Sequence, residues 1–182
     1  AVTNLNGFAR SKKGMIDKYV AEGLLAYTYA AMGDNQKVAQ LAQDIINNSG
    51  YPLTSREQTV YDATTKKGGG FNDVETKSWM WGVDLITENN FTLDSWWGMM
   101  DVYTYSYAWA GDAKAMDDKL YSQIRTNDIR KKQFDGDLLP SNKFFAPDRV
   151  IGGQRKVTTD YVYMRVDEFY LLAAEALAKL GQ

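Results

Sequence analysis

Arg165-Val-Asp-Glu-Phe-Tyr-Leu-Leu-Ala-Ala-Glu-Ala-Leu-Ala-Lys-Leu-Gly181 decides the fold class. Its apolar residues Phe169, Leu172, Ala173, Ala176, Leu177 and Leu180 recur at intervals of three and four, which gathers them into one stripe on an α-helix. Asp167 and Glu168 near the start and Lys179 near the end complement the helix dipole. Gly181 stands where a left-handed residue closes the last turn. The helix runs to the end of the sequence, so no following segment is expected to cover its stripe.

The same chemistry occurs once before. Leu24-Leu-Ala-Tyr-Thr-Tyr-Ala-Ala-Met-Gly33 is a second helix of Ala and Leu that stops at glycine. Asp34 then opens a helix carrying Val38, Ala39, Leu41, Ala42, Ile45 and Ile46 on one side, which folds back on the first. This hairpin resembles a tetratricopeptide unit, with small residues where its helices touch. By that comparison the last helix is the first half of another hairpin whose partner lies outside the sequence.

Composition removes several function classes. The chain has 182 residues, 45% hydrophobic and 24% charged, as expected of one globular domain over 1–182. A formal net charge of −2 leaves no footprint for nucleic acid and no basic surface for an anionic membrane. There is no cysteine, hence no disulfide or thiolate metal site. There is no histidine, which excludes Ser-His-Asp and Cys-His nucleophile systems and His-ligated zinc. No catalytic residue, metal ligand or cofactor site is assigned.

Along the chain, residues 1 to 14 read as a polar lead-in. The first helix spans about Met15 to Met32, with Ile16, Tyr19, Val20, Leu24, Tyr27 and Ala31 inward, and the second ends near Asn47. Thr54 to Asn72 reads as a mobile surface loop, with Gly68-Gly69-Gly70 as flexible linker chemistry. Ser78 to Leu85 alternates as a short strand with Trp79, Trp81, Val83 and Leu85 on one face. Lys114 to Ile129 carries a weaker helical pattern. Lys131 to Asp160 is loop-rich, and a loop of that length is functional or held down by the rest of the protein.

Thirteen per cent of the residues are aromatic, including five Trp and twelve Tyr, and the excess falls between Phe71 and Trp109. A flat ring stacks on the C–H face of a pyranose while nearby amides and carboxylates bond its hydroxyls. Trp79 and Trp81 suit the core, where aromatics bury much area. Adjacent Trp96 and Trp97 cannot both face one core from a strand, so at least one is exposed or in a cleft. Tyr103, Tyr105, Tyr107 and Trp109 alternate with small residues and form a ridge if extended. Trp96, Trp97, Tyr103 and Tyr105 are the candidate stacking residues, and Asn89, Asn90 and Asp94 the candidate polar contacts. A glycosidase would need two carboxylates, but no spacing among Glu75, Asp84, Glu88, Asp94 and Asp101 marks an acid and a nucleophile, and solvated surface carboxylates account for them. Asp135-Gly136-Asp137 lacks the rest of a calcium loop and reads as a polar turn.

Several of these pieces in order resemble the SusD/RagB family. They are the Gly33-Asp34 hairpin followed by Gly50-Tyr-Pro-Leu53, then Asp128-Ile-Arg130, Lys143-Phe144 and Met164-Arg-Val-Asp-Glu-Phe-Tyr-Leu-Leu-Ala-Ala-Glu-Ala176. The last is the most specific match. The resemblance implies a mostly α-helical protein of tetratricopeptide-like hairpins, with long loops and a few short strands. It implies a non-catalytic, lipid-anchored protein on the outer face of the outer membrane, which binds an oligosaccharide or polysaccharide and serves a SusC-like TonB-dependent transporter. Some members take peptides instead, and a tetratricopeptide-type scaffold binding only protein is the alternative. The lipid-bearing cysteine and the outer segments of the family have no counterpart here, so the chain is expected to be an interior portion of a longer protein.

Overall fold

The computed structural model describes residues 13–91 and 94–182, so most of the polar lead-in lies outside the described residues. Two compact units emerge, one of Ala1–Leu53, Val74–Val83 and Val162–Gln182, the other of Thr54–Asp73 and Asp84–Tyr161.

The first unit is helical. Helix α1 is Lys18–Met32 and α2 is Asn35–Asn48. Asp17 caps α1 by accepting from the Val20 N–H at 2.8 Å, and its other oxygen accepts the buried Tyr51 hydroxyl at 3.0 Å. Gly33, at φ 79°, closes α1, and the Asp34 carboxylate accepts from the Lys37 N–H at 3.1 Å to open α2. The expected hairpin turn is therefore formed by the expected residues. Strand β1, Trp79–Val83, pairs with β2, Tyr161–Arg165, which runs directly into the last helix, Val166–Lys179.

The terminal stripe is covered, by α1 and α2 rather than by later sequence. Phe169 and Ala173 join Val20, Ala26, Ala42, Ile45 and Met164 in one core, and Ala176 meets Val38 and Ala39. Leu180 stays exposed, because one turn beyond the Val38–Ala176 contact α2 has given way to the Gly33 turn.

Helix α1 buries only part of the face expected: Val20 is buried and Tyr19 and Tyr27 pack against the core as expected. Ile16, Leu24 and Ala31 point outward, while Val20, Gly23 and Ala26 are buried. The large groups at this crossing come from the opposite side: a Cβ on Gly23 would stand 2.5 Å from Phe169 Cζ and 2.7 Å from Met164 Sδ. Small residues on α1 are what let the elements meet.

Strand β1 also departs from the one-face pattern. Trp79 and Met80 are both buried, and since neighbouring strand residues point to opposite sides, both faces of β1 are covered. Trp81 is half-buried, edge-on to Tyr163 at 4.9 Å, and Leu85 lies beyond the strand.

The second unit is mostly loop, pinned by short elements: α3, Trp96–Met100, and α4, Asp118–Gln123, together with single turns. The helix expected over 114–129 shrinks to α4, because Asp117 caps it on one side and the chain is extended at Ile124 on the other. The segment 54–73 is not linker chemistry. Gly68, Gly69 and Gly70 have φ of 115°, 75° and 80°, and a Cβ on Gly69 would stand 2.7 Å from the Asn72 amide nitrogen. That amide donates to the Lys143 carbonyl at 2.9 Å and accepts from the Phe145 N–H at 2.9 Å, fastening the glycine turn to the later loop. In the Asp-x-Arg segment, Arg130 bonds both Asp128 oxygens, which holds that carboxyl down to about 2.

Candidate aromatic binding site

The site is built within the loop unit on a buried carboxylate. Asp101 accepts from the Tyr103 N–H at 2.7 Å, the Thr104 N–H at 2.8 Å and the Thr104 hydroxyl at 3.0 Å. It is not a solvated surface group, as its sequence context implied. Burial pushes its carboxyl up to about 6, against the pull of the Thr104 and Tyr103 bonds and the nearby charge of Arg149. Its oxygens are engaged with the backbone it folds.

That knot sets the course of the aromatic ridge. Tyr105 N–H donates to the Gln154 carbonyl and Gln154 N–H to the Tyr103 carbonyl, both at 3.0 Å. Thr104, Ser106 and Ala108 are thereby turned inward and Tyr105, Tyr107 and Trp109 outward. The ridge is not extended: residues 108–112 form a wide helical turn, which brings Tyr105 and Trp109 together one turn apart. Their ring centroids are 4.5 Å apart with planes inclined 37°. The small residues carry the burial, while Tyr105, Tyr107 and Trp109 stay at the surface.

The Arg155 guanidinium lies over Tyr105, 3.7 Å from its centroid. Beside it a cavity of about 340 Å³ is lined by Tyr103, Arg149, Gln154, Arg155, Lys156 and Thr158 among others. Arg149 forms part of its wall, stacked 3.9 Å from the Tyr61 centroid and 4.6 Å from that of Tyr103, and donating to the Ser141 carbonyl at 2.6 Å. A concavity of about 400 Å³ on the α1–α2 hairpin has no comparable ring pair and is lined largely by polar side chains such as Lys37, Gln40 and Asp44.

The predicted stacking residues divide by exposure. Tyr105 is 36% exposed and Trp96 44%. Trp97 is fully buried and Tyr103 nearly so, which corrects both as platforms: they are the packing under it. The reason for Trp97 is helical rather than strand geometry. On α3 the two indoles meet edge to face at 4.9 Å, and Trp97 is wedged toward Phe144 and Tyr161 while Trp96 stays at the surface.

Of the polar candidates, Asn90 joins the basic rim, its amide oxygen accepting from Lys156 Nζ. Asn89 is occupied locally, accepting from the Ile86 N–H at 2.8 Å, and Asp94 is an exposed turn residue before the α3 cap. Phe91 is tied to the same strip, its carbonyl accepting from the Val157 N–H at 2.9 Å. Trp109 as a stacking residue and the cations Arg149, Arg155 and Lys156 were missed. The charge run inside the long loop was the available signal. Among the described residues no group of carboxylates is arranged to hold a metal ion, and no helix is long and apolar enough to cross a membrane.

Comparison with solved structures decides the architecture. A SusD-like carbohydrate-binding protein from Bacteroides vulgatus superposes with a TM-score of 0.65 at 23% identity, over 93% of this chain and 35% of its own. The chain has a SusD-like fold. A SusD superfamily protein from Bacteroides thetaiotaomicron matches with a TM-score of 0.63 at 20% identity, over 100% of this chain and 41% of its own. The chain thus spans well under half the length of these two structures. No family model and no curated protein matches the sequence.

Proposed function

We propose that this chain carries the glycan-binding surface of a non-catalytic SusD-type protein, which captures oligosaccharide at the cell surface and passes it to a SusC-like TonB-dependent transporter. Lipid anchoring to the outer membrane belongs to the same reading. The observation that carries it is the Tyr105–Trp109 pair: two partly exposed rings in mutual contact, 4.5 Å apart with planes inclined 37°, beside the stacked Arg155 and anchored by the buried Asp101 knot. The exposed surface of such a cluster offers apolar contact to the C–H groups of a sugar, and a preformed cluster binds without ordering its own side chains first. Trp96 offers a third ring, and Asn90 a polar contact.

The test is calorimetry of the chain against a panel of soluble polysaccharides. One glycan should bind, and Tyr105→Ala with Trp109→Ala should weaken it at least tenfold while the melting temperature stays within a few degrees. Binding unchanged by the double variant would refute the platform.

A protein-binding scaffold is the second reading, favoured by exposed Met32 on α1 and by Leu171, 74% exposed on the terminal helix. A peptide that binds the folded chain, protects those helices and ignores the ring variants would select it.

A further inference from the structure

We propose that the ligand of the aromatic site is an acidic glycan, whose carboxylate or sulfate groups are received by Arg155 and Lys156 at the rim of the cavity beside Tyr105. This rests on the glycan-binding reading and narrows it to a substrate class.

The chain as a whole carries −2, yet the eight residues from Arg149 to Lys156 hold three cations and no carboxylate. Asp148, the preceding residue, is the one acidic group among those lining the cavity. Among the described residues, no salt bridge involves Arg149, Arg155 or Lys156. Here the polypeptide brings three cations to one concavity; Arg149 lies near the buried Asp101 carboxylate, while Arg155 and Lys156 have no ion pair among the described residues.

Each cation is held differently. Arg149 is structural: its guanidinium is spent on the Ser141 carbonyl, on the Asn142 side chain at 3.1 Å and on aromatic faces. It supplies a fixed positive field at the cavity wall. Lys156 is steadied by Asn90 and keeps further donors. Arg155 lies over Tyr105, and among the described residues no hydrogen bond engages its N–H groups. A guanidinium stacked by its face keeps its planar N–H edge for a bidentate anion, which a carboxylate or sulfate fits. The partly exposed ring pair next to it offers apolar surface to the sugar to which that anion is attached. A neutral glycan would use the rings and leave the cations idle.

The experiment uses three acidic probes: an oligogalacturonate, an oligoglucuronate and a sulfated galactan fragment. Each is titrated against its neutral counterpart, methyl-esterified or desulfated, in 50 mM and 500 mM salt. At least one acidic probe should bind tenfold or more tightly than its counterpart at low salt, with the preference shrinking at high salt. Arg155→Gln with Lys156→Gln should abolish that preference, so that each acidic probe and its neutral counterpart bind alike. Whether the uronates or the sulfated fragment respond identifies the anion. Neutral glycans binding as well as the acidic ones would overturn this inference and leave glycan capture standing. Silence from every probe, with a folded chain by circular dichroism, would overturn the acidic ligand. Silence also from the neutral panel would remove the glycan reading itself.

Discussion

Gly152 lies directly against the indole of Trp109: a Cβ added there would stand 2.6 Å from its Cδ1, and the residue sits at φ 61° with its N–H on the Val102 carbonyl at 2.9 Å. The glycine is what lets the exposed indole lie down on the loop. Gly152→Ala meets two obstacles, the left-handed backbone, costing about 1–2 kcal/mol for a residue with a Cβ, and the indole. Trp109 is at the surface and can swing aside, so the backbone cost should dominate stability and the indole displacement should dominate function. The expected result is a loss of about 1–2 kcal/mol in urea unfolding, a change in tryptophan emission, and weaker glycan binding. A variant with parental emission and affinity would mean that Trp109 is not positioned by this contact.

Gly23 presents the opposite balance. Alanine there gains about 1 kcal/mol in helix propensity, but its methyl would collide with Phe169 and Met164, both fully packed and unable to withdraw into solvent. Overpacking of this kind costs about 1–3 kcal/mol, so it wins. Gly23→Ala should lower the urea midpoint, with Gly23→Val lowering it further. Stabilisation by alanine would show that the helix crossing has slack.

These two glycines mark where sequence reading succeeded and where it stopped. Helix positions, the Gly33–Asp34 turn and the terminal stripe were legible because caps and periodicity are local. The inward face of α1 was legible only in part: Val20, Tyr19 and Tyr27 pack inward as read, but Gly23 and Ala26 are chosen by Met164 and Phe169, far away in sequence, and Leu24 was free to face water. The aromatic region was recognisable by composition. Its division into Trp97 below and Trp96 above depends on α3 being a helix, which a five-residue stretch with adjacent tryptophans does not announce. Arg155 was overlooked because its significance lies in being stacked on Tyr105, a relation across fifty residues.

Asp101 makes stability depend on pH. Its carboxyl stands at about 6 in the folded chain, above its ordinary value of 3.8, because burial disfavours the charge. Between those values the folded state binds more protons than the unfolded, so its contribution is full below about pH 4 and is lost as pH rises through about 6. Two units correspond to about 3 kcal/mol. Unfolding free energy should therefore decline between pH 4 and 6 by up to that amount. Asp101→Asn keeps an oxygen for the Tyr103 and Thr104 N–H groups and should flatten this part of the profile. An identical profile in the variant would place the titration elsewhere.

Trp96 and Trp97 separate binding from folding most sharply. Trp97 is enclosed, so Trp97→Ala should cost about 3–5 kcal/mol. Its indole N–H is buried without a partner among the described residues, so Trp97→Phe gives up no hydrogen bond there and should cost far less. Trp96→Ala removes an exposed ring with edge contacts to Trp97 and Phe144, worth about 0.5–1.5 kcal/mol each at most. Measured by unfolding, the order of damage should be Trp97→Ala, then Trp96→Ala, with Trp97→Phe mildest. Measured by glycan titration the order should invert: Trp96→Ala weakens binding, while Trp97→Phe, which keeps the packing, leaves it unchanged. If Trp97→Phe weakened binding and Trp96→Ala did not, the buried indole would have to be the contact. Because it has no surface in the free chain, α3 would then have to open when sugar arrives, and the platform would be formed by the ligand rather than waiting for it.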